Sequence, residues 1–331
     1  ASAGAKQMAM LRRLPKSLRF IPGSAQDIRI FFLVMRYWLA GSEANILNMV
    51  IMLVQRYARL SDNHLAHQVK LQNPVEYPEV GVYHPRIKTR LSDQLADLPH
   101  AKNSKQAAVG ILLLRSYLLA GNTDHYDAVI EALEAKGLRV IPAFSSGLDA
   151  RCAIDQFFKK DGVPQIEALL SLTGFSLVGG PAYNDAKAAQ LALKELDVPY
   201  IAAHPVEFQS LDQWGDSDRG LLPVESTIMV AIPELDGSTV PMVYGGRPGA
   251  AGTSCNGCDR HCTFTKAHTA QNMFTCAERT EMLASRVHKL VELRNKKRAE
   301  RKLAIVLFNF PPNAGSVGTA AYLSEIGRAH V

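Results

Sequence analysis

Residues 106–144 read QAAVGILLLRSYLLAGNTDHYDAVIEALEAKGLRVIPAF, and they decide the fold class. Ala107 to Leu113 is an unbroken apolar run, the pattern of a strand covered on both faces. Asp124 to Lys136 has helical periodicity and stops at Gly137, a residue suited to the left-handed position past a helix end. Leu138 to Phe144 is apolar again. Strand, helix and strand in close succession form the unit that builds a parallel sheet.

The unit repeats downstream. Ser145-Ser146-Gly147-Leu148-Asp149 leads into a helix ending near Phe158. A third unit places a strand near Phe175 to Val178, a turn at Gly179-Gly180-Pro181, a helix from Asn184 to Glu195 and a strand from Pro199 to Ala203. Residues 106–250 are therefore expected to form a doubly wound, Rossmann-like parallel sheet. Ligands of such sheets bind beyond the carboxyl ends of the strands, so Ser145, Ser146, Gly147, Gly179, Gly180 and Tyr183 are expected either to line a cleft or to form simple tight turns. No G-x-G-x-x-G, P-loop, H-E-x-x-H, nucleophile elbow or serine–histidine–acid arrangement occurs, so dinucleotide-binding, self-contained NTPase and simple hydrolase readings lack their fingerprints.

Residues 1–105 read as a mostly helical segment. Phe20 to Pro22 suggests a short strand edge, and Ser24 to Asp27 can cap the helix that follows. The most apolar region, Ile28 to Val54, is interrupted by Arg29, Arg36, Glu43, Asn45 and Asn48. A membrane helix needs about twenty mostly apolar residues, so two buried amphipathic helices are expected instead. They break at Gly41-Ser42-Glu43, and the second runs from Glu43 to Tyr57. Asn73 to Pro85 holds three prolines and is expected to be extended. Ala1 to Phe20 lacks a signal-peptide pattern, and the abrupt start before Pro15 suggests further residues upstream.

Beyond residue 220, STIMVAI (226–232) reads as a buried strand, PELDG (233–237) as a turn, TVPMVY (239–244) as a second strand and GGRPG (245–249) as a glycine-rich exit. Residues 251–276 then hold four of the five cysteines, spaced Cys255-x2-Cys258-x3-Cys262, with Cys276 after thirteen more residues. Clustered thiols without a secretion signal point to a reducing cytoplasm and to a metal or cluster rather than disulfides. Structural zinc usually shows two separated C-x2-C pairs, so three packed thiols and a distant fourth favour a [4Fe–4S] cluster over zinc. Reduced, unliganded thiols are the alternative. Cys152 reads as a packing residue at a helix start. His261 and His268 lie in the same loop as candidate ligands or hydrogen-bond partners. Glu225, Glu234 and Asp236 offer carboxylates for a hard cation, and Arg247 a guanidinium for a substrate carboxylate.

Hydrophobic content of 47% with 21% charge is ordinary for a globular protein, and a net charge of +6 is too weak to argue for nucleic acid. Much of the excess sits in RNKKRAERK (294–302), at the end of a linking basic helix over 277–302. Leu303 to Phe308 reads as a new buried strand, followed by a loop and a helix start, so 303–324 is expected to open a further α/β domain. EIGRAHV (325–331), read back into codons, matches the start of a sequencing adapter and is expected to be an assembly artefact.

Three segments carry a family resemblance: PVESTIMVAIPELDG (223–237), MVYGGRPG (242–249) and RAERKLAIVLFNFPPNAGSVGTAAYLS (298–324). From about Leu14 to Ser324 the chain resembles the large porphyrin-binding subunits of magnesium chelatase and cobaltochelatase, and is close to the bacteriochlorophyll-pathway form. The resemblance implies a much longer multidomain protein. That protein would bind protoporphyrin IX and insert Mg²⁺ with ATP hydrolysed by AAA+ and integrin-I-like partner subunits. It implies a [4Fe–4S] cluster on Cys255, Cys258, Cys262 and Cys276, and a cytoplasmic location, peripheral to photosynthetic membranes. Residues that insert the metal are implied to lie downstream of Ser324, leaving Glu234 and Arg247 as the substrate or cation candidates here. A cobaltochelatase-type subunit and a stand-alone iron–sulfur scaffold are the alternatives.

Overall fold

The computed structural model describes residues 18–58, 68–99, 106–180, 182–266, 272–302, 304, 319–320 and 323–324. The chain divides into two compact units, Ala1–Val291 and Glu292–Val331.

The first unit is built on one sheet of eight strands: β1 (Val80–Tyr83), β2 (Leu91–Ser92), β3 (Ala108–Leu114), β4 (Arg139–Ser145), β5 (Ala168–Ser171), β6 (Tyr200–Ser210), β7 (Thr239–Arg247) and β8 (Phe274–Thr275). Their order is β8-β7-β6-β5-β3-β4-β1-β2. The five central strands, β7-β6-β5-β3-β4, are mutually parallel, and antiparallel strands close both edges. β3 lies between β4 and β5, so the chain reverses its direction of winding there, the switch point of doubly wound sheets.

Helices cover both faces. On one, α3 (Asp124–Ala135) lays Tyr126, Val129, Ile130 and Leu133 against Val109, Ile111 and Leu113 of β3. A long helix, α6 (Ala277–Asn295), adds Leu283, Ala284, Val287 and Val291 to the same core. On the other face, α4 (Ala186–Leu196) and the π-helical turn Ile154–Phe158 enclose Leu112, Ile141 and Leu169. Successive β3 side chains enter opposite cores, as a strand buried on both faces must. Gly137 adopts the left-handed conformation expected after α3.

Before the sheet, α1 (Ser24–Ala40) and α2 (Glu43–Tyr57) form the expected helical hairpin, broken at left-handed Gly41. Their surfaces differ from the expectation of burial. Phe31, Trp38, Leu47 and Val50 are exposed. Beside buried Tyr37 and Met52, the covered face carries polar groups: Asn45 exchanges two hydrogen bonds of 2.9 Å with the Val75 backbone, and Asn48 accepts from Gln72 N. The asparagines thus hold the extended, proline-rich segment that ends in β1.

Several other elements differ from their sequence reading. The run STIMVAI is helical, not a strand. Pro223–Glu225, Ser226–Ala231 and Ile232–Asp236 form one helical stretch, here α5, with a π-helical middle. Pro223 opens it at a position needing no N–H donor, and left-handed Gly237 ends it. Its buried residues, Glu225, Met229, Pro233 and Asp236, recur at helical spacing, a signal that an unbroken apolar run conceals. PELDG is accordingly its last turn. The third unit's strand is Ala168–Ser171, while Val178 makes only an isolated bridge to Asp149. Gly179–Gly180 and Tyr183–Asn184 form a tight hairpin, with Pro181 outside the described residues. Phe20 ends a 3₁₀ turn, Leu18–Phe20, because the Gln26 side chain reaches back to the Leu18 carbonyl. The cap of α1 is Gly23, without a side-chain bond. Cys152 is exposed rather than packed, since the turn points its neighbour Ala153 into the core.

In the second unit, the Arg298–Glu300 turn is followed by strands Thr319–Ala320 and Leu323–Ser324, paired antiparallel in place of the expected helix start. The strand read at Leu303 to Phe308, the loop after it and residues 325–331 fall outside the described residues, apart from Ala304.

Candidate metal centre

The cysteine loop is seated by close backbone contacts. A Cβ on Gly245 would lie 2.5 Å from the Phe274 carbonyl, and one on Gly246 2.7 Å from the Val206 carbonyl. The glycine pair of GGRPG therefore lets β6, β7 and β8 approach one another. The chain then folds back on itself: Gly252 N donates to Phe264 O, Phe264 N to Thr253 O and Cys255 N to Cys262 O, each at 2.9 Å. Below this ladder the short helix Leu211–Gly215 presents Gly215, where a Cβ would come within 2.6 Å of Gly257 N. Arg279, from the first turn of α6, stacks 4.9 Å over the Trp214 ring and donates to Val243 O and Gly257 O at 2.6 and 3.3 Å. The loop is clamped between that short helix and α6.

This clamp brings three thiols together. Cys258 and Cys262 come from the loop and Cys276 from the residue before α6, where its N–H is held by Tyr244 O at 3.2 Å. Their sulfurs all lie within 4.8 Å of one another, and Cys276 donates to Cys258 over 3.4 Å. Burial, together with the neighbouring sulfurs, pushes the Cys276 thiol up to about 12, and burial raises Cys262 as well. Three soft donors gathered this closely suit a thiophilic metal, whose binding displaces their protons. Cys255 stands outside the trio. It is 3% exposed, its Sγ donates to Leu211 O at 3.3 Å, and it packs with Val206, Leu211, Val243 and Phe264. His261 is exposed and shares a 3.0 Å hydrogen bond with Asn256 Oδ1, away from the sulfurs, and His268 lies outside the described residues.

Of the carboxylates, Glu225 approaches Arg247 through one shared peptide, whose Glu207 carbonyl accepts from Arg247 Nη1 at 3.3 Å and whose Phe208 N–H donates to Glu225. Glu225 is buried and accepts from Phe208 N, Gln209 Nε2 and Leu222 N at 3.2, 2.5 and 3.0 Å. Asp236 is buried too, and its Oδ2 accepts from Ser176 Oγ and Leu177 N, both at 2.8 Å. Glu234 is exposed in the last turn of α5, ahead of β7, whereas Arg247 ends that strand. Eight steps along a strand separate their ends by about 26 Å.

The chain matches the CobN/Magnesium Chelatase family over residues 35–327 and a domain of unknown function over residues 1–32. It belongs to the CobN/magnesium chelatase family. It is 53% identical to the magnesium-chelatase H subunit of Cereibacter sphaeroides over 98% of this chain and 27% of that protein. Identity is 37% to the chloroplastic magnesium-chelatase protein ChlH of Oryza sativa, over 96% of this chain and 22% of that one. The aerobic cobaltochelatase protein CobN of Pseudomonas aeruginosa is 29% identical over 81% of the chain. The catalytic subunit of cobaltochelatase from Mycobacterium tuberculosis has the same fold, with a TM-score of 0.55, 21% identity, and coverage of 84% of this chain and 20% of that one. The chain spans about a quarter of the length of its magnesium-chelatase relatives.

In this CobN/magnesium chelatase segment the expected cleft is divided. Gly179, Gly180 and Tyr183 border an open cavity of ≈ 680 Å³ with Leu148, Asp149 and Arg151. Ser146 borders a separate one of ≈ 220 Å³ beside Arg36 and Arg115, and Ser145 and Gly147 flank a void of only ≈ 20 Å³. A cavity of ≈ 370 Å³ at the ends of β6 and β7 holds Arg247 with Tyr117, Asn122 and Glu207. Tyr117 donates to Glu207 at 2.8 Å, and burial raises the carboxyl above its usual range. Glu207, Trp214 and Arg279 carry no sequence signal, because their partners lie far away along the chain. Among the described residues, no helix is long and apolar enough to cross a membrane.

Proposed function

We propose that this chain is a segment of the porphyrin-binding large subunit of a magnesium chelatase of the bacteriochlorophyll type. The whole protein would insert Mg²⁺ into protoporphyrin IX, with ATP hydrolysed by AAA+ and integrin-I-like partner subunits, on the cytoplasmic side and peripheral to photosynthetic membranes. The observation that carries the reading is 53% identity to the magnesium-chelatase relative across nearly the whole chain, against 29% to the cobaltochelatase relative. ATP has a physical purpose here, because Mg²⁺ gives up its water shell reluctantly. The doubly wound unit would serve as scaffold. The thiol trio would hold a soft metal centre, for which a [4Fe–4S] cluster is the form implied by the bacteriochlorophyll-type resemblance. Such a centre would tie the loop to α6, and it could also supply redox sensitivity. Arg247, which lines its cavity and spends one N–H on the Glu207 carbonyl, is proposed to pair with a substrate carboxylate through its remaining donors.

The test is a chimera in which residues 14–324 replace the matching segment of the Cereibacter sphaeroides relative. With that organism's partner subunits, ATP and Mg²⁺, it is expected to form fluorescent Mg-protoporphyrin IX. A well-folded chimera that leaves protoporphyrin unmetallated would refute the assignment.

A further inference from the structure

The four loop cysteines are not equivalent. A tetrahedral ion or a four-iron cluster can take four cysteine ligands, and the chain offers four. The fold brings together three. Cys258 and Cys262 are half-buried, and Cys276 closes the group from the start of α6, all within 4.8 Å. Cys255 is instead built into the small core beneath the loop. Its thiol hydrogen is used by Leu211 O, its sulfur receives Gly257 N–H at 3.4 Å, and its own N–H is fixed on Cys262 O. Turning this sulfur toward the other three would strip the Leu211 carbonyl of its donor and open a void among Val206, Leu211, Val243 and Phe264.

We propose that Cys258, Cys262 and Cys276 alone hold the metal centre, that Cys255 is a core thiol, and that a non-cysteine ligand fills the remaining coordination position. This rests on the reading of the trio as a metal centre. Cys258 and Cys262, both only half-buried, leave the trio open to solvent. Water or a small oxygen, nitrogen or sulfur donor can reach it there. Closed four-ligand sites are structural, whereas sites with an exchangeable position can take an outside ligand. The centre is therefore a binding site and not only a clip.

The experiment uses the full chain, purified anaerobically and reconstituted in parallel with iron plus sulfide and with Zn²⁺. Metal and sulfide per chain are measured for the wild type, Cys255→Val, Cys255→Ala, Cys258→Ala, Cys262→Ala and Cys276→Ala, with circular dichroism as the check on folding. Valine fills the core but cannot bind metal. Cys255→Val is expected to keep wild-type metal content, and each of the other three sites is expected to lose it. X-ray absorption on the zinc-loaded wild type, which needs no variant, is expected to show three sulfurs and one lighter donor. If iron and sulfide load instead, added imidazole is expected to perturb the electron paramagnetic resonance of the reduced cluster. Four sulfurs around zinc, or a folded Cys255→Val that is empty of metal, would overturn the proposal while leaving the metal centre standing. A wild type that takes up neither metal would overturn both.

Discussion

At the scale of single residues, acidic side chains that look like cation ligands in the sequence act here as fasteners. Asp236 joins the end of α5 to the loop after β5 through Ser176 Oγ and Leu177 N. Burial raises its carboxyl above the ordinary value, and the two hydrogen bonds partly offset that shift. Replacing Asp236 with alanine leaves the buried Leu177 N–H without this acceptor, while Ser176 Oγ keeps the Val178 carbonyl at 3.2 Å, and one such unsatisfied group costs about 1–3 kcal/mol. Urea unfolding of Asp236→Ala is expected to show that loss. An unchanged midpoint would mean that water replaces the carboxylate. Asp236 is legible as a carboxylate near a turn, but its partners lie some sixty residues upstream and cannot be read from its neighbours.

At the scale of elements, the GGR of β7 shows how a motif can be structural. Gly246 sits where a Cβ would meet the Val206 backbone at 2.7–2.9 Å, and backbone cannot move aside as a flexible side chain can. Gly246→Ala is expected to force β6 and β7 apart at a cost of about 1–3 kcal/mol, the usual penalty for overpacking. A thermal melt of the variant checks this, and a wild-type melting temperature would contradict it. The α5 helix gives the complementary lesson. Its apolar run reads as a strand because β-branched residues and continuous hydrophobicity fit both states. The helix prevails because Glu225 fastens its first turn and Gly237 its last, while four residues at helical spacing reach the core. By contrast, α3 is legible because its polar and apolar positions alternate with a clear helical period.

At the scale of the whole molecule, stability is tied to pH through buried histidines. Both ring nitrogens of His125 lack a partner among the described residues, and its ring lies 3.9 Å from that of Tyr126. Burial pulls its pKa down to about 3. The unfolded chain has a histidine near 6.5, so below that pH it binds a proton that the folded protein refuses. Stability is therefore complete above about pH 6.5 and falls as pH drops toward 3, by up to about 1.4 kcal/mol per unit for this group. His204, lowered to about 4 by burial and by Arg279, acts in the same direction. Melting temperatures taken from pH 7.5 down to 5 are expected to decline, and His125→Phe to decline less steeply. An equal slope in the variant would assign the effect to other groups.

The doubly wound class, the helical hairpin before it and the concentration of thiols in one loop are all legible along the chain. Each of these is written in local periodicity, turn residues or spacing, which neighbouring positions carry. The packing of the folded chain sets the rest: Cys255 faces the core while Cys258, Cys262 and Cys276 face one another, Glu234 lies in the helix ahead of β7 while Arg247 ends that strand, and Arg279 braces the loop over Trp214. Those outcomes depend on which strands are adjacent in the sheet and on where a backbone can approach another, and contacts of that kind join residues distant in the chain.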